Sequence, residues 1–329
     1  MALVTSATSL LRIEHPVVLA PMDIVSGGEL AAAVSSAGGL GLIGGGYGDR
    51  TWLSEQFALA ERARARVGCG FITWSLARDP DLLDIALDHH PAAVMLSFGD
   101  SAQFAEPIQA AGIPLICQVH NREQAQRALD AGAQVLVAQG REAGGHGHGP
   151  RTTMTLVPEI VDLVAAGHQN VPVLAAGGIA DGRGLAAALV LGAAGALIGT
   201  RFYAAAEAQS TPGARERVAA ATGDRTCRTS VYDRVRGRDW PPGHTMSVLA
   251  NEFTSRWHDH QADLDEHLPE AITQYRQAVA DRDYTIANVT VGQAVGLIDS
   301  TRPAAELVTC LIDEARAAID AWCSHRRGD

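Results

Sequence analysis

Eight short runs rich in Val, Ile, Leu and Ala, separated by Ala-rich amphipathic stretches, predict a (β/α)8 TIM barrel over the first two-thirds of this 329-residue chain. Three observations carry the prediction. The runs are continuously apolar rather than alternating, which suits parallel strands buried on both faces. They recur evenly, about every 20–30 residues. Several intervening helices end in Ala-Gly just before the next strand, the glycine stop of a short helix-to-strand turn. A doubly wound open sheet would need a topological switch point, and the even alternation gives no sign of one.

The strands read in order as PVVLAPM from Pro16, GLGLIG from Gly39, VGCGFI from Val67, AAVMLSF from Ala92, PLICQV from Pro114, QVLVAQG from Gln134, PVLAAGG from Pro172 and GALIGT from Gly195. Between them GELAAAVSSAG, REQAQRALDAG and DGRGLAAALVLG have helical patterning. After Thr200 the pattern changes to many charges and several helix-like runs with no repeated strand. The expected organisation is a barrel from residues 1–203 and 289–329, with a mostly helical subdomain, 204–288, covering its mouth. VGQAVGLI and PAAELVTCLIDEARAAIDAW then read as one or two closing helices.

All 26 basic side chains are arginine, set against 37 carboxylates for a formal charge of −11. Without lysine there is no Schiff base, no covalently held pyridoxal phosphate, no carbamylated metal bridge and no Walker lysine. The acidic balance argues against nucleic acid and anionic membranes as partners, since both call for a cationic face. No apolar run is long enough to span a bilayer, and MALVTSATSLLRIEHP lacks the basic start of a secretory signal. Five cysteines without a CxxC pair fit free thiols in a cytoplasmic protein.

Active sites of such barrels lie beyond the C-terminal strand ends. There the chain places Ala20-Pro21-Met22, Cys69-Gly70, Gln118-Val119-His120, the loop from Gln139 through Gly144-Gly145-His146-Gly147-His148, Ala176-Gly177-Gly178, and Gly199-Thr200. The glycines after strands seven and eight let backbone amides approach an anion. Asp181 is placed to cap the following helix, that helix end offers free amides, and the Thr200 hydroxyl adds a donor. Together they predict a phosphate site made without lysine. In the GGHGHG loop an imidazole would shuttle protons near neutral pH.

The segments APMDIVSGGELAAAVSSAGGLGLIGGG, VGCGFITWSL, AQGREAGGHGHG, VLAAGGIADGRGLAAALVLGAAGALIGTRF and VGQAVGLI resemble nitronate monooxygenases, formerly called 2-nitropropane dioxygenases. The resemblance covers nearly the whole chain and is strongest over residues 16–202. It implies an FMN-containing barrel, with the flavin phosphate on Ala176, Gly177, Gly178, Gly199 and Thr200. The ring would lie near Ala20, Pro21, Met22, Gly70, Gln118, Gln139, Gly144 and Gly145. His146 matches the family's catalytic histidine, either as the base for a neutral nitroalkane or as the group that holds a nitronate anion. The implied reaction consumes O2 and yields a carbonyl compound and nitrite. Two departures stand out: Cys69-Gly70 where many members read GVN, and Gln118 where many carry lysine.

The same residues admit other readings. Related barrels include NAD(P)H:quinone reductases and FMN-dependent enoyl reductases. From another class, His146 and His148 with His120 would make a metal site in a barrel hydrolase. Cys117 should point into packing, since it alternates with Gln118. Trp240 and Trp257 fit either the core of the 204–288 segment or a pocket wall, and Arg201 is expected to pair with a carboxylate. The partners expected are a small-molecule substrate and O2, with a homo-oligomer compatible with the sequence.

Overall fold

A computed structural model describes residues 3–167 and 170–325. The eight expected strands all form: β1 (Val17–Leu19), β2 (Leu42–Gly46), β3 (Gly68–Ile72), β4 (Val94–Ser97), β5 (Leu115–Val119) and β6 (Val135–Gln139), then β8 (Val173–Ala176) and β9 (Gly195–Ile198) after an extra strand, β7 (Gly145–His148). They make one parallel sheet in the order β1-β9-β8-β6-β5-β4-β3-β2. A parallel bridge between Val18 and Leu40 closes the remaining seam, with Leu19 N donating to Leu40 O at 2.8 Å and Leu40 N to Val17 O at 3.0 Å. The result is a (β/α)8 barrel.

Strand alternation divides the core into two shells. Val17, Leu19, Val94, Leu96, Leu115, Cys117, Leu136 and Ala138 face outward onto the helices. Val18, Met95, Ile116, Val135, Val137, Leu174 and Leu197 fill the interior. Helix Ser6–Leu11 plugs the N-terminal end of the barrel, where Ala7 and Leu11 join the inner shell and Thr5 Oγ1 donates to Ala194 O at 2.6 Å. Polar residues at the strand-to-helix turns start the outer helices: Asp49 accepts from Trp52 N, Asn121 from Gln124 N and Asp181 from Gly184 N. The long helix Ala304–His325 packs on the helices Gly182–Val190 and Gly28–Ser36 and completes the outer ring. VGQAVGLI forms a 3-10 turn, Gln293–Leu297, rather than a helix, because Gly292 and Gly296 interrupt it.

Residues 204–288 hold the helices Pro212–Ala220, Val231–Val235, Glu252–Trp257, Gln261–Glu266 and Leu268–Asp281. They also hold two strands that the sequence did not signal, β10 (Thr226–Thr229) and β11 (His244–Leu249). β11 lies antiparallel between β10 and β7, which sets Met246 opposite His146 and Ser247 opposite Gly145. Tertiary pairing makes these strands. The glycines of β7 carry no apolar pattern of their own, and only Met246 and Val248 of β11 enter a core with Tyr232, Phe253, Trp257 and Tyr275. Burying Phe253 or Trp257 there contributes on the order of 2–3 kcal/mol each. Among the described residues no helix is long and apolar enough to cross a membrane.

Candidate active site

The inward rows of the strands run out at the C-terminal mouth in short or polar residues, namely Gly70, Gln118, Gln139 and Ala176. Above them opens a cavity of about 450 Å3. Ala20, Pro21 and Met22 wall it after β1, Gly144, Gly145 and His146 after β6, Gly177 and Gly178 after β8, and Gly199 and Thr200 after β9. Every residue that the family resemblance assigns to the flavin or to catalysis therefore lines one cavity.

The turn after β8 requires its glycines. Gly177 and Gly178 have φ of +98° and +77°, and a Cβ on Gly177 would lie 2.8 Å from Gly140 O. At Gly144 the reason is proximity, since a Cβ there would lie 2.6 Å from Gly292 N. Thr200 Oγ1 accepts from Gly292 N at 3.0 Å, which leaves its own proton to donate. The helix after β8 contributes less to an anion than its position suggested. Its Gly184 amide donates to Asp181 at 3.0 Å and its Gly182 amide to Glu314 at 2.9 Å. Carboxylates have already taken those donors. A phosphate would rest on the glycine turns and Thr200.

Gln118 presents a buried amide nitrogen, Nε2, with no hydrogen-bond partner. Such a group costs about 1–3 kcal/mol until something accepts from it. Gln139, also buried, commits its Oε1 to His120 Nε2 at 2.7 Å. Burial pushes the His120 imidazole down to about 4, against the opposing contacts with Gln139 and Gln124, so His120 is neutral near pH 7.

His146 stands on β7 with its side chain 8 % exposed, and its Nε2 meets both oxygens of Asp233, itself 6 % exposed, at 2.9 and 3.1 Å. Burial lowers the imidazole's proton affinity, while the Asp233 contact works against that shift. Trp240 stacks on the imidazole and donates Nε1–H to Tyr47 Oη at 3.0 Å. Arg236 also lines the cavity, its guanidinium 5.4 Å from the Tyr47 ring centroid and 3.8 Å from Asp23. Burial opposes the arginine's charge, yet Tyr47, Tyr275, Asp23 and Asp233 around it leave its pKa raised. Asp23 and Phe98, both on the wall, have positive φ of 51° and 63°. Backbone strain of this kind gathers at functional sites.

Sequence reasoning missed Tyr47, Phe98, Asp233, Arg236 and Tyr275, and it left Trp240 and Trp257 undivided. Trp240 walls the cavity, whereas Trp257 packs in the core of the 204–288 segment. The run VYDRVRGRDW held the one usable signal, an acid and a base three apart beside aromatics. Arg201 is buried and donates to the Ser300 carbonyl at 2.6 Å rather than to a carboxylate. Cys117 points into the outer core as expected, and burial raises its thiol to about 11. His148 lies outside the cavity lining and packs against His244, ring centroids 4.9 Å apart. Among the described residues no group of three or more ligand-type side chains is placed to hold a metal, and His146 Nε2 is already engaged.

A cavity at the C-terminal mouth of a (β/α)8 barrel, edged by glycine turns and walled by a buried imidazole, is where enzymes of this fold hold their ligands. Comparison with known proteins narrows the class. Residues 5–66 and 72–314 match the family model described as nitronate monooxygenase. A nitronate monooxygenase of Neurospora crassa is 34% identical over 351 residues, covering 93% of this chain and 90% of that protein. Among solved structures, FabK from Thermotoga maritima superposes with a TM-score of 0.86 at 30% identity, over 98% of this chain and 99% of its own. A nitroalkane oxidase from Streptomyces ansochromogenes gives 0.80 at 25% identity, over 97% and 100%. The chain belongs to the nitronate monooxygenase family. It is an oxidoreductase acting on nitronates, in a family that is in general flavin-dependent. A flavin fits what is present: the unpartnered Gln118 amide would gain an acceptor, and the Thr200 hydroxyl keeps a proton to donate at the same cavity.

Proposed function

We propose that the chain uses FMN to oxidise alkyl nitronates with O2 to a carbonyl compound and nitrite. The observation that carries this reading is His146, buried on the cavity wall beside the cationic Arg236. FMN bound there would supply the electron transfer and oxygen chemistry, which side chains alone do not. Ala176, Gly177, Gly178, Gly199 and Thr200 would hold its phosphate, and Ala20, Pro21, Met22, Gly70, Gln118, Gln139, Gly144 and Gly145 its ring. Neutral His146 takes the α-proton of a nitroalkane. Once protonated, it shares with Arg236 the work of holding the nitronate charge. Trp240 covers the imidazole and excludes water from it.

Residues 204–288 act in this reading as the cover of a barrel made by 1–203 and 289–329. The five cysteines, all unpaired, fit a cytoplasmic enzyme. Self-association into a homo-oligomer is compatible with the reading.

The test is nitrite release from preformed nitronate in air, with and without NADH, on protein whose bound cofactor is identified by mass. Nitrite without NADH from an FMN-containing protein is the expected result. Rapid anaerobic bleaching by NADH or NADPH, with no nitrite from a nitronate, would overturn it.

A further inference from the structure

The contact between His146 and Asp233 decides which nitrogen of the imidazole does the work. Both carboxylate oxygens lie within hydrogen-bond distance of Nε2, and carboxylates accept rather than donate. The proton on a neutral His146 therefore sits on Nε2. Among the described residues none is hydrogen-bonded to Nδ1, which belongs to a ring on the cavity wall. The arrangement is held on several sides. Asp233 lies on the short helix Val231–Val235, buried beside Tyr232, while His146 is fixed by its pairing with Met246 on β11 and by the Trp240 stack. The charged or titratable groups around the pair are Arg236 just past that helix, Arg228 on β10, His244 on β11, Asp23 after β1, and Tyr47 and Tyr275 on the cavity wall.

Resting on the reading of His146 as the base, we propose that Asp233 is a positioning residue which fixes the Nε2–H tautomer and makes Nδ1 the nitrogen that receives the substrate proton. The role is like that of the carboxylate in a Ser-His-Asp triad, which orients an imidazole without taking its proton. An uncharged amide at position 233 can present either a donor or an acceptor to Nε2, so the tautomer is no longer fixed. The nitrogen facing the cavity then carries a proton part of the time and cannot accept another.

The tautomer is read directly from 15N spectra of histidine-labelled holoenzyme, with His146 assigned by its loss in His146→Asn. Wild-type protein should show neutral His146 protonated at Nε2, and a signal for the Nδ1–H form would overturn the proposal without any variant at Asp233. Asp233→Asn should shift the signal toward Nδ1–H and cut kcat/KM for neutral nitroalkanes by about 10²-fold or more. With preformed nitronates kcat should fall less than tenfold. Asp233→Glu should recover part of the loss and the wild-type tautomer. If Asp233→Asn changes neither the spectrum nor the nitroalkane rate, Asp233 is only structural. If His146→Asn leaves nitroalkane turnover intact, it is the base assignment itself that fails.

Discussion

Trp240 lies nearly parallel to His146, the ring centroids 3.5 Å apart and the planes 9° from each other. The indole forms one wall of the low-dielectric space in which the imidazole sits, and that space disfavours the imidazolium. His146 should therefore stay neutral, and competent as a base, below the usual histidine value of about 6.5. Trp240→Ala opens the wall, so the acidic limb of kcat/KM for a neutral nitroalkane should move to higher pH. The pH-rate profile measures this, and an unmoved limb would show that other groups account for the desolvation.

Gln118 offers a buried, unpartnered amide to the cavity. Gln118→Leu keeps the bulk and removes the donor, which should weaken FMN binding by about tenfold, the worth of one hydrogen bond. Gln118→Lys places a cation at the same point and should raise the flavin reduction potential, because a positive charge favours the reduced, anionic ring. Fluorescence titration and potentiometry read the two effects. A potential that is unchanged or lower would show that Gln118 does not face the ring.

Thr200 accepts from Gly292 N and can also donate outward. Thr200→Val removes both functions and should cost about 1 kcal/mol of stability together with much of the bound cofactor. Thr200→Ser should retain both. Melting temperature and flavin content distinguish the variants, and a valine variant with full flavin content would remove Thr200 from the phosphate cradle.

His120 is 4 % exposed and its folded-state value is depressed to about 4. The sign follows from linkage: a depressed group stabilises the fold fully above its unfolded value, about 6.5, and the stabilisation is lost as pH falls toward the folded value. Urea midpoints should drop between pH 6.5 and 4, with His120 contributing on the order of 3 kcal/mol. His146 and His244, depressed by the same cause, act in the same direction. A His120→Gln variant should lose part of this acid sensitivity; equal slopes in variant and wild type would contradict the assignment.

The barrel could be read from the sequence because its strands are apolar on both faces, a pattern that survives without knowledge of the fold. The cavity floor could be read for a related reason. Gln118 and Gln139 stand at inward positions of strands whose alternation is already fixed by Ile116 and Val137, and Gly70 pairs with the inward Met95 of the neighbouring strand. Asp233 and Arg236 could not be read this way. Asp233 lies on, and Arg236 just past, a five-residue helix too short to show a period, and their burial comes from Trp240, Tyr47 and β7, which tertiary pairing brings to them. β7 was hidden for a similar reason, since GHGH has no apolar alternation and becomes a strand only against β11.

That last pairing has a mechanical consequence. The ladder that holds His146 runs to β11, and through β11 to β10, not to any strand of the barrel. The imidazole thus stands on this antiparallel sheet, and its carboxylate and indole neighbour on the segment that joins β10 to β11, while the glycine turns and Gln118 belong to the barrel below. Arg228 on β10 ties that sheet back to the loop that leaves β6, donating to the Arg141 and Ala143 carbonyls at 3.1 and 2.8 Å, so the distance from imidazole to cavity floor is set by side-chain contacts outside the barrel's own ladder.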